Sequence, residues 1–130
     1  MTTATLQARS LTPTLTVNDL KRSRRFYTEG LGFEVEEEYA SEGEVRGVRL
    51  AAGEAKLGLS QDDFSKGRDR AKGIGMRFYL ETEQDLGVLA RQAKGAGIAL
   101  DSDPAPLPWG PMAFLVTDPD GFKLTILNPE

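Results

Sequence analysis

The chain has no cysteine and no histidine in its 130 residues. Without cysteine there are no thiolate nucleophiles, disulfides, thiolate metal sites or thiol redox switches. Without histidine the commonest metal ligand and the usual general base near neutral pH are missing, which excludes Ser-His-Asp and Cys-His mechanisms. No apolar run approaches the ~20 residues of a membrane-spanning helix, and Met1–Ser10 lacks the apolar centre of a secretory signal. Basic residues are outnumbered, 16 Lys and Arg against 20 Asp and Glu, for a formal charge of -4. A net acidic chain lacks the broad electrostatic footprint of a nucleic-acid binder. The expectation is a cytoplasmic protein with neither a membrane nor a nucleic-acid partner.

What is present is ordinary globular material: 39% hydrophobic and 28% charged residues. The length suits a single domain and buries roughly 65–70% of the unfolded surface, so no disulfide or metal staple is required.

Met1–Arg9 is polar and predicted to fray. From Leu11 apolar residues alternate with threonines as far as Val17, which reads as a strand, with Pro13 near an edge or bulge. Asn18-Asp19 offers an N-cap to a helix carrying Leu20, Ser23, Phe26-Tyr27 and Leu31, stopped at Gly30 and Gly32. Strands follow at Phe33–Tyr39, Val45–Ala51 and Ala55–Ser60. Charged, aperiodic residues 61–72 form a linker. The order then repeats: a strand over Ile74–Leu80, a helix capped at Thr82 with Leu86, Leu89-Ala90 and Ala93 as its stripe, and strands at Ile98–Asp101, Met112–Thr117 and Phe122–Leu127. A proline-rich loop, Asp103–Pro111, carries the only tryptophan. The pattern predicts one α+β domain, residues 1–130, built from two βαβββ modules at about 10–60 and 73–129.

Val17-Asn18-Asp19-Leu20, Ser23, Phe26-Tyr27 and Leu31-Gly32-Phe33, together with Pro108-Trp109-Gly110 and Asp118-Pro119-Asp120-Gly121, resemble the opening and closing signatures of the vicinal oxygen chelate superfamily. That superfamily holds glyoxalase I, bleomycin-resistance proteins, fosfomycin-resistance enzymes and extradiol dioxygenases. The Pro-Trp-Gly stretch is closest to the bleomycin-resistance branch. The resemblance implies two modules whose sheets curve into a cup with helices outside. It also implies metal ligands on four cup-facing strand positions, which carried over by register fall at Thr12, Gly58, Gly75 and Thr125. None is a competent ligand for a catalytic divalent metal, so no metal and no cofactor is expected.

Alternation gives a second route to the register. Leu15, Val17, Leu57, Leu59, Met76, Phe78, Leu124 and Ile126 are the helix-facing set. Thr14, Thr16, Lys56, Ser60, Arg77, Tyr79, Glu81, Lys123 and Leu127 then line the cup or solvent, joined by Arg49 if Val48 and Leu50 pack under the helices. The candidate ligand-binding residues are Arg49, Arg77, Tyr79, Trp109, Thr12 and Thr125. Trp109 either stacks on a ligand or anchors its own loop. Arg77 and Tyr79 contact a ligand or form polar pairs on the sheet surface. Lys21, Arg22, Arg24 and Arg25 read as a solvated helix face, Glu36–Glu38 as a charged strand edge, and Asp118–Gly121 as a tight turn.

The favoured function is a metal-independent binder of a small molecule, carried by a homodimer. A metal-independent lyase or isomerase is the alternative, with Tyr79, Glu81, Lys56 or Lys123 as acid–base groups; a protein-interaction domain is a third. The predominance of cations among the cup-facing residues predicts a planar or aromatic ligand with an anionic or strongly electron-rich group, stacked on Trp109 and paired with Arg77.

Overall fold

Threonines alternating with Leu15 and Val17 make the first strand, β1 (Thr14–Val17), in a computed structural model that describes residues 3–129. Met1 and Thr2, at the head of the polar segment, and Glu130 lie outside them. Asp19 then caps α1 (Leu20–Arg25), its carboxylate accepting from the Arg22 amide at 3.2 Å. The helix continues as a wider π-helical turn over Phe26–Gly30. Strands β2 (Glu34–Ser41), β3 (Glu44–Ala52) and β4 (Ala55–Gln61) complete the first module. The second comprises β5 (Arg77–Glu81), α2 (Leu86–Gly95), β6 (Ser102–Pro106), β7 (Met112–Thr117) and β8 (Lys123–Leu127).

Each module forms a four-stranded mixed sheet, ordered β1-β4-β3-β2 and β5-β8-β7-β6. β1 runs parallel to β4 and β5 parallel to β8, while the other pairs are antiparallel. The fold is α+β with two βαβββ modules, as the element order predicts. One face of each sheet supplies the core: Leu15, Val17, Leu50 and Leu59 in the first, Phe114, Val116, Leu124 and Ile126 in the second. Leu20 and Tyr27 from the first helical segment, and Leu86 and Ala90 from α2, close over it. No helix among the described residues is long and apolar enough to cross a membrane, a finding that does not bear on β-barrels.

Several sequence expectations give way to tertiary context. β1 starts at Thr14, not Leu11, and Leu11 is 84% exposed. β5 starts at Arg77, because Gly73 and Gly75 adopt φ of 68° and 73° and break the extended run. Met76 consequently leaves the core and is 46% exposed. The cap of α2 is Asp85, not Thr82; its carboxylate accepts from the Gly87 and Val88 amides, while the Thr82 hydroxyl only closes a local turn onto Gln84. The sixth strand lies at Ser102–Pro106, overlapping the start of the Asp103–Pro111 segment read as a loop, and Ile98–Asp101 is not a strand. Pro104 and Pro106 are tolerated because β6 is an edge strand with a register shift between Ser102 and Ala105.

The modules are joined by polar contacts at the β7–β8 turn. Asp118, almost fully buried, accepts from the Asp120 and Phe122 amides (2.8 and 2.9 Å) and from the Tyr27 hydroxyl (2.7 Å). Asp120 accepts from the Ser23 hydroxyl (3.2 Å) and the Asn18 amide (3.0 Å). Burial raises the Tyr27 phenol far above its ordinary value, with Asp118 adding to the shift, so it stays a donor. Desolvation also raises the Asp118 carboxyl, against the opposing pull of its hydrogen bonds. Nearby, Lys72 is buried against Asp62 (2.8 Å) and donates to Asn18 Oδ1 (2.8 Å), which pins residues 61–72 to the end of β1. The Lys72 hydrogen bond, followed by the Phe64 amide, holds the Asp62 carboxyl below its ordinary range.

Two stability tests follow from this junction. Tyr27→Phe leaves a buried carboxylate oxygen without its partner and should cost about 2 kcal/mol in urea unfolding, whereas Asp118→Asn, which keeps the amide-accepting oxygen, should cost about half as much. Asp62 works in the opposite pH sense from Asp118. Its folded value lies below the unfolded one near 3.8, so its contribution is complete above that value and lost as the pH falls through the folded one. Asp62→Asn should therefore be less stable than wild type at neutral pH, with the gap closing below about pH 4. A gap independent of pH would refute the assignment.

Candidate functional site

The faces turned away from the core carry the polar residues. On the first sheet, Thr14 pairs with Gly58, Gly58 with Arg49, and Arg49 with Glu37, so these positions form one row across four strands. β2 carries a register shift between Val35 and Glu37. The extra residue lets both Glu36 and Glu37 reach Arg49, at 3.3 and 3.2 Å. Lys56 joins Glu36 at 2.6 Å, and Arg49 also donates to the Tyr39 hydroxyl at 3.4 Å. Lys56, followed by Arg49, holds the Glu36 carboxyl below its ordinary range. A cavity of about 480 Å³ lies over this face, lined by Thr12, Thr14, Tyr39, Arg49, Gly58 and Ser60 among others.

The second sheet is built in the same register with different electrostatics. Arg77 is the cross-strand partner of Lys123, and Tyr79 of Thr125. Arg77 Nη1 donates to Thr125 Oγ1 at 2.9 Å, and Lys123 Nζ donates to Thr117 Oγ1 at 3.2 Å. Among the described residues neither cation lies within 4.0 Å of a carboxylate, whereas Arg49 and Lys56 are both neutralised.

β1 and β5 are each the outer strand of their sheet. A cleft of about 780 Å³ runs between the segment leading into β1 and the strand β5. Leu11, Phe78 and Leu80 give it accessible apolar surface, with the core residues Phe33, Leu57 and Leu124 behind; Arg9, Ser10, Lys56, Arg77 and Tyr79 supply polar groups, with Glu54 the one carboxylate in the lining. A further cleft of about 810 Å³ abuts it at Phe33, Tyr79 and Leu80 and extends towards α2.

The expected site residues are thus distributed over more than one place. Thr12 and Arg49 line the first cavity. Arg77 and Tyr79 line the inter-module cleft, and Thr125 lies buried beneath the Arg77 guanidinium. Trp109 stands in the β6–β7 hairpin turn, closed by the Leu107 amide on Pro111 O at 2.7 Å; it is 57% exposed and lines none of these cavities. Glu36, Glu37, Tyr39, Phe33 and Arg9 were not singled out as site residues from the sequence. The bulge in β2 hides the first two, because two consecutive glutamates on one face violate simple alternation.

The positions that would hold a metal do not fit one. Thr12 and Gly58 offer a hydroxyl and no side chain; a Cβ at Gly58 would stand 2.6 Å from Thr14 Oγ1. Gly75 lies in the bend before β5. Thr125 already accepts a hydrogen bond from a guanidinium, which would repel a divalent cation. Among the described residues no group of three or more His, Cys, Asp or Glu side chains could hold a metal ion.

Comparison with known proteins agrees with this architecture. No curated protein matches the sequence significantly. The fold is similar to that of TioX from Micromonospora sp. ML1 (TM-score 0.74, 17% identity, covering 93% of this chain and 98% of that one). It is also similar to a glyoxalase/bleomycin resistance protein/dioxygenase superfamily member from Sphaerobacter thermophilus DSM 20745 (0.72, 23%, 95% and 98%). A glyoxalase-related enzyme from Fulvimarina pelagi gives 0.72 and 21%, covering 95% and 89%. The family profile itself spans residues 9–126, nearly all of both modules. With the duplicated βαβββ architecture and that match, the chain belongs to the glyoxalase/bleomycin resistance protein/dioxygenase superfamily.

Proposed function

We propose that the protein is a metal-independent, small-molecule-binding member of this superfamily, nearest in its Pro108-Trp109-Gly110 stretch to the bleomycin-resistance-like branch. The observation that carries the reading is the Arg77–Thr125 hydrogen bond at 2.9 Å. It sets a fixed positive charge at a position where metal-binding relatives are expected to place a ligand. The inter-module cleft has the size and the mixture of apolar wall and few polar groups typical of ligand sites. No step of bond making is assigned to it.

We further propose a homodimer. β1 and β5 each have one neighbouring strand, leaving a free edge beside the cleft. Exposed apolar side chains cluster in sequence around it: Leu11 leads into β1, and Ile74, Met76 and Tyr79 precede or lie on β5. A second copy covering these edges satisfies unpaired backbone groups and buries that apolar surface.

Exhaustive dialysis against a chelator should leave the melting temperature unchanged, and native mass spectrometry of protein purified from its own host should find organic, not metallic, bound mass. A fall of more than about 5 °C, reversed by zinc, nickel or manganese, would overturn metal independence. Light scattering at micromolar concentration should report twice the single-chain mass; a single-chain mass would reject the dimer.

A further inference from the structure

We infer that the inter-module cleft selects small organic monoacids, an apolar body carrying one carboxylate, and that Arg77 is the residue that reads the acid. The inference rests on the ligand-binding reading above and names the ligand class of that site.

The two modules share a scaffold but not a charge plan. In the first, Lys56 stands immediately before Leu57 on β4; in the second, Lys123 stands immediately before Leu124 on β8. Both leucines face the core. Yet Lys56 and Arg49 are closed off by Glu36 and Glu37, while Arg77 meets the Thr125 hydroxyl and Lys123 the Thr117 hydroxyl, which in turn donates to the Asp101 carboxylate at 2.5 Å. Like charges directly opposite on neighbouring strands are unfavourable. The Arg77–Lys123 pair is such a juxtaposition; Asp101 approaches its Lys123 side through the shared Thr117 hydroxyl, whereas no carboxylate lies within 4.0 Å of Arg77 among the described residues. An anion in the cleft would meet Arg77 alone of the two, since Lys123 lies outside the lining.

The geometry singles out Arg77 within that pair. Thr125 is 1% exposed, so the hydroxyl that orients the guanidinium is itself buried in the sheet. One of the guanidinium's five N–H donors is spent on Thr125, leaving others for a planar, bidentate acceptor. Arg77 lines the cleft with Arg9, whose guanidinium also has no carboxylate within 4.0 Å among the described residues. Of the remaining charges in the lining, Lys56 is paired with Glu36, and Glu54 is the sole carboxylate. The surplus is cationic even though the chain is acidic overall. The accessible apolar lining, Leu11, Phe78 and Leu80, suits an apolar body. A cationic ligand would meet two unneutralised guanidiniums there, and a neutral one would leave them unanswered. Trp109, outside the cleft lining, takes no part.

Titration calorimetry of metal-free protein with naphthalene-2-carboxylate, its carboxamide and 2-naphthylmethylammonium tests the inference. The acid should bind at least about tenfold more tightly than either matched probe, as expected for a charge-assisted hydrogen bond. Added salt should weaken the acid and leave the amide unchanged. Arg77→Ala should abolish the acid's advantage while amide affinity is kept; Arg77→Lys should restore part of it. Should Arg77→Ala fail to fold, Glu54→Gln serves, since Glu54 lies in the exposed β3–β4 turn, and it should tighten acid binding about twofold. Amine or amide binding equal to the acid, an Arg77→Ala protein with unchanged acid affinity, or no binding of the acid would each overturn the inference. The first two leave ligand binding as such intact. The third leaves it intact if protein from its own host carries a different organic molecule.

Discussion

The buried Asp118 carboxylate is the contact on which the relative placement of the two modules rests. A carboxylate taken this far from water must have its oxygens filled, or the cost is several kcal/mol. Two amides of its own turn and the Tyr27 hydroxyl fill them. The turn belongs to the second sheet and Tyr27 to the helical segment packed on the first, so satisfying one group aligns two modules far apart in sequence. Asp120 repeats the device with Ser23 and the Asn18 amide. Because α1 leads directly from β1, and the turn directly into β8, the same contacts set the position of the cleft bounded by β5 and the approach to β1.

Duplication supplies a symmetric frame, and local chemistry breaks the symmetry. Both sheets place a lysine and a small or hydroxylated residue in succession on the inner strand, Lys56-Gly58 and Lys123-Thr125, separated by a core leucine. In the first sheet a one-residue bulge brings two glutamates against Arg49 and Lys56, and the face becomes an internally neutral network. Exposed pairs of this kind add little stability. Their effect here is to remove the cations of that face from competition for a ligand. In the second sheet Asp101 approaches Lys123 through Thr117, but among the described residues no carboxylate lies within 4.0 Å of Arg77.

Two side chains account for the poor fit to a metal. Thr14 stands over Gly58 closely enough that any side chain there would need backbone or neighbour movement. Arg77 holds the Thr125 hydroxyl and brings its own charge. A metal site would therefore require more than placing ligands at the four positions, because Thr14 crowds Gly58 and Arg77 occupies the Thr125 hydroxyl.

Much of the fold was legible in the residues themselves. Alternation located Leu15, Val17, Leu57, Leu59, Leu124 and Ile126 on core faces, and the repeated element order and the two turn-and-helix signatures named the architecture, because side-chain period and capping are local physics. Tertiary context alone settled what depends on partners distant in the chain. Met76 and Leu11 continue an alternating pattern yet lie exposed, since glycine conformations and the end of β4 pairing decide where a strand stops. Pro104 and Pro106 read as loop but sit in an edge strand, where a missing N–H faces no neighbour. Asp118 and Asp120 read as a tight turn and are one, but their grip on Tyr27, Ser23 and Asn18 could not be read from spacing. The same holds for charge: Arg49, Lys56, Arg77 and Lys123 look alike in sequence, and only the bulge in β2 and the cross-strand register determine which of them are neutralised.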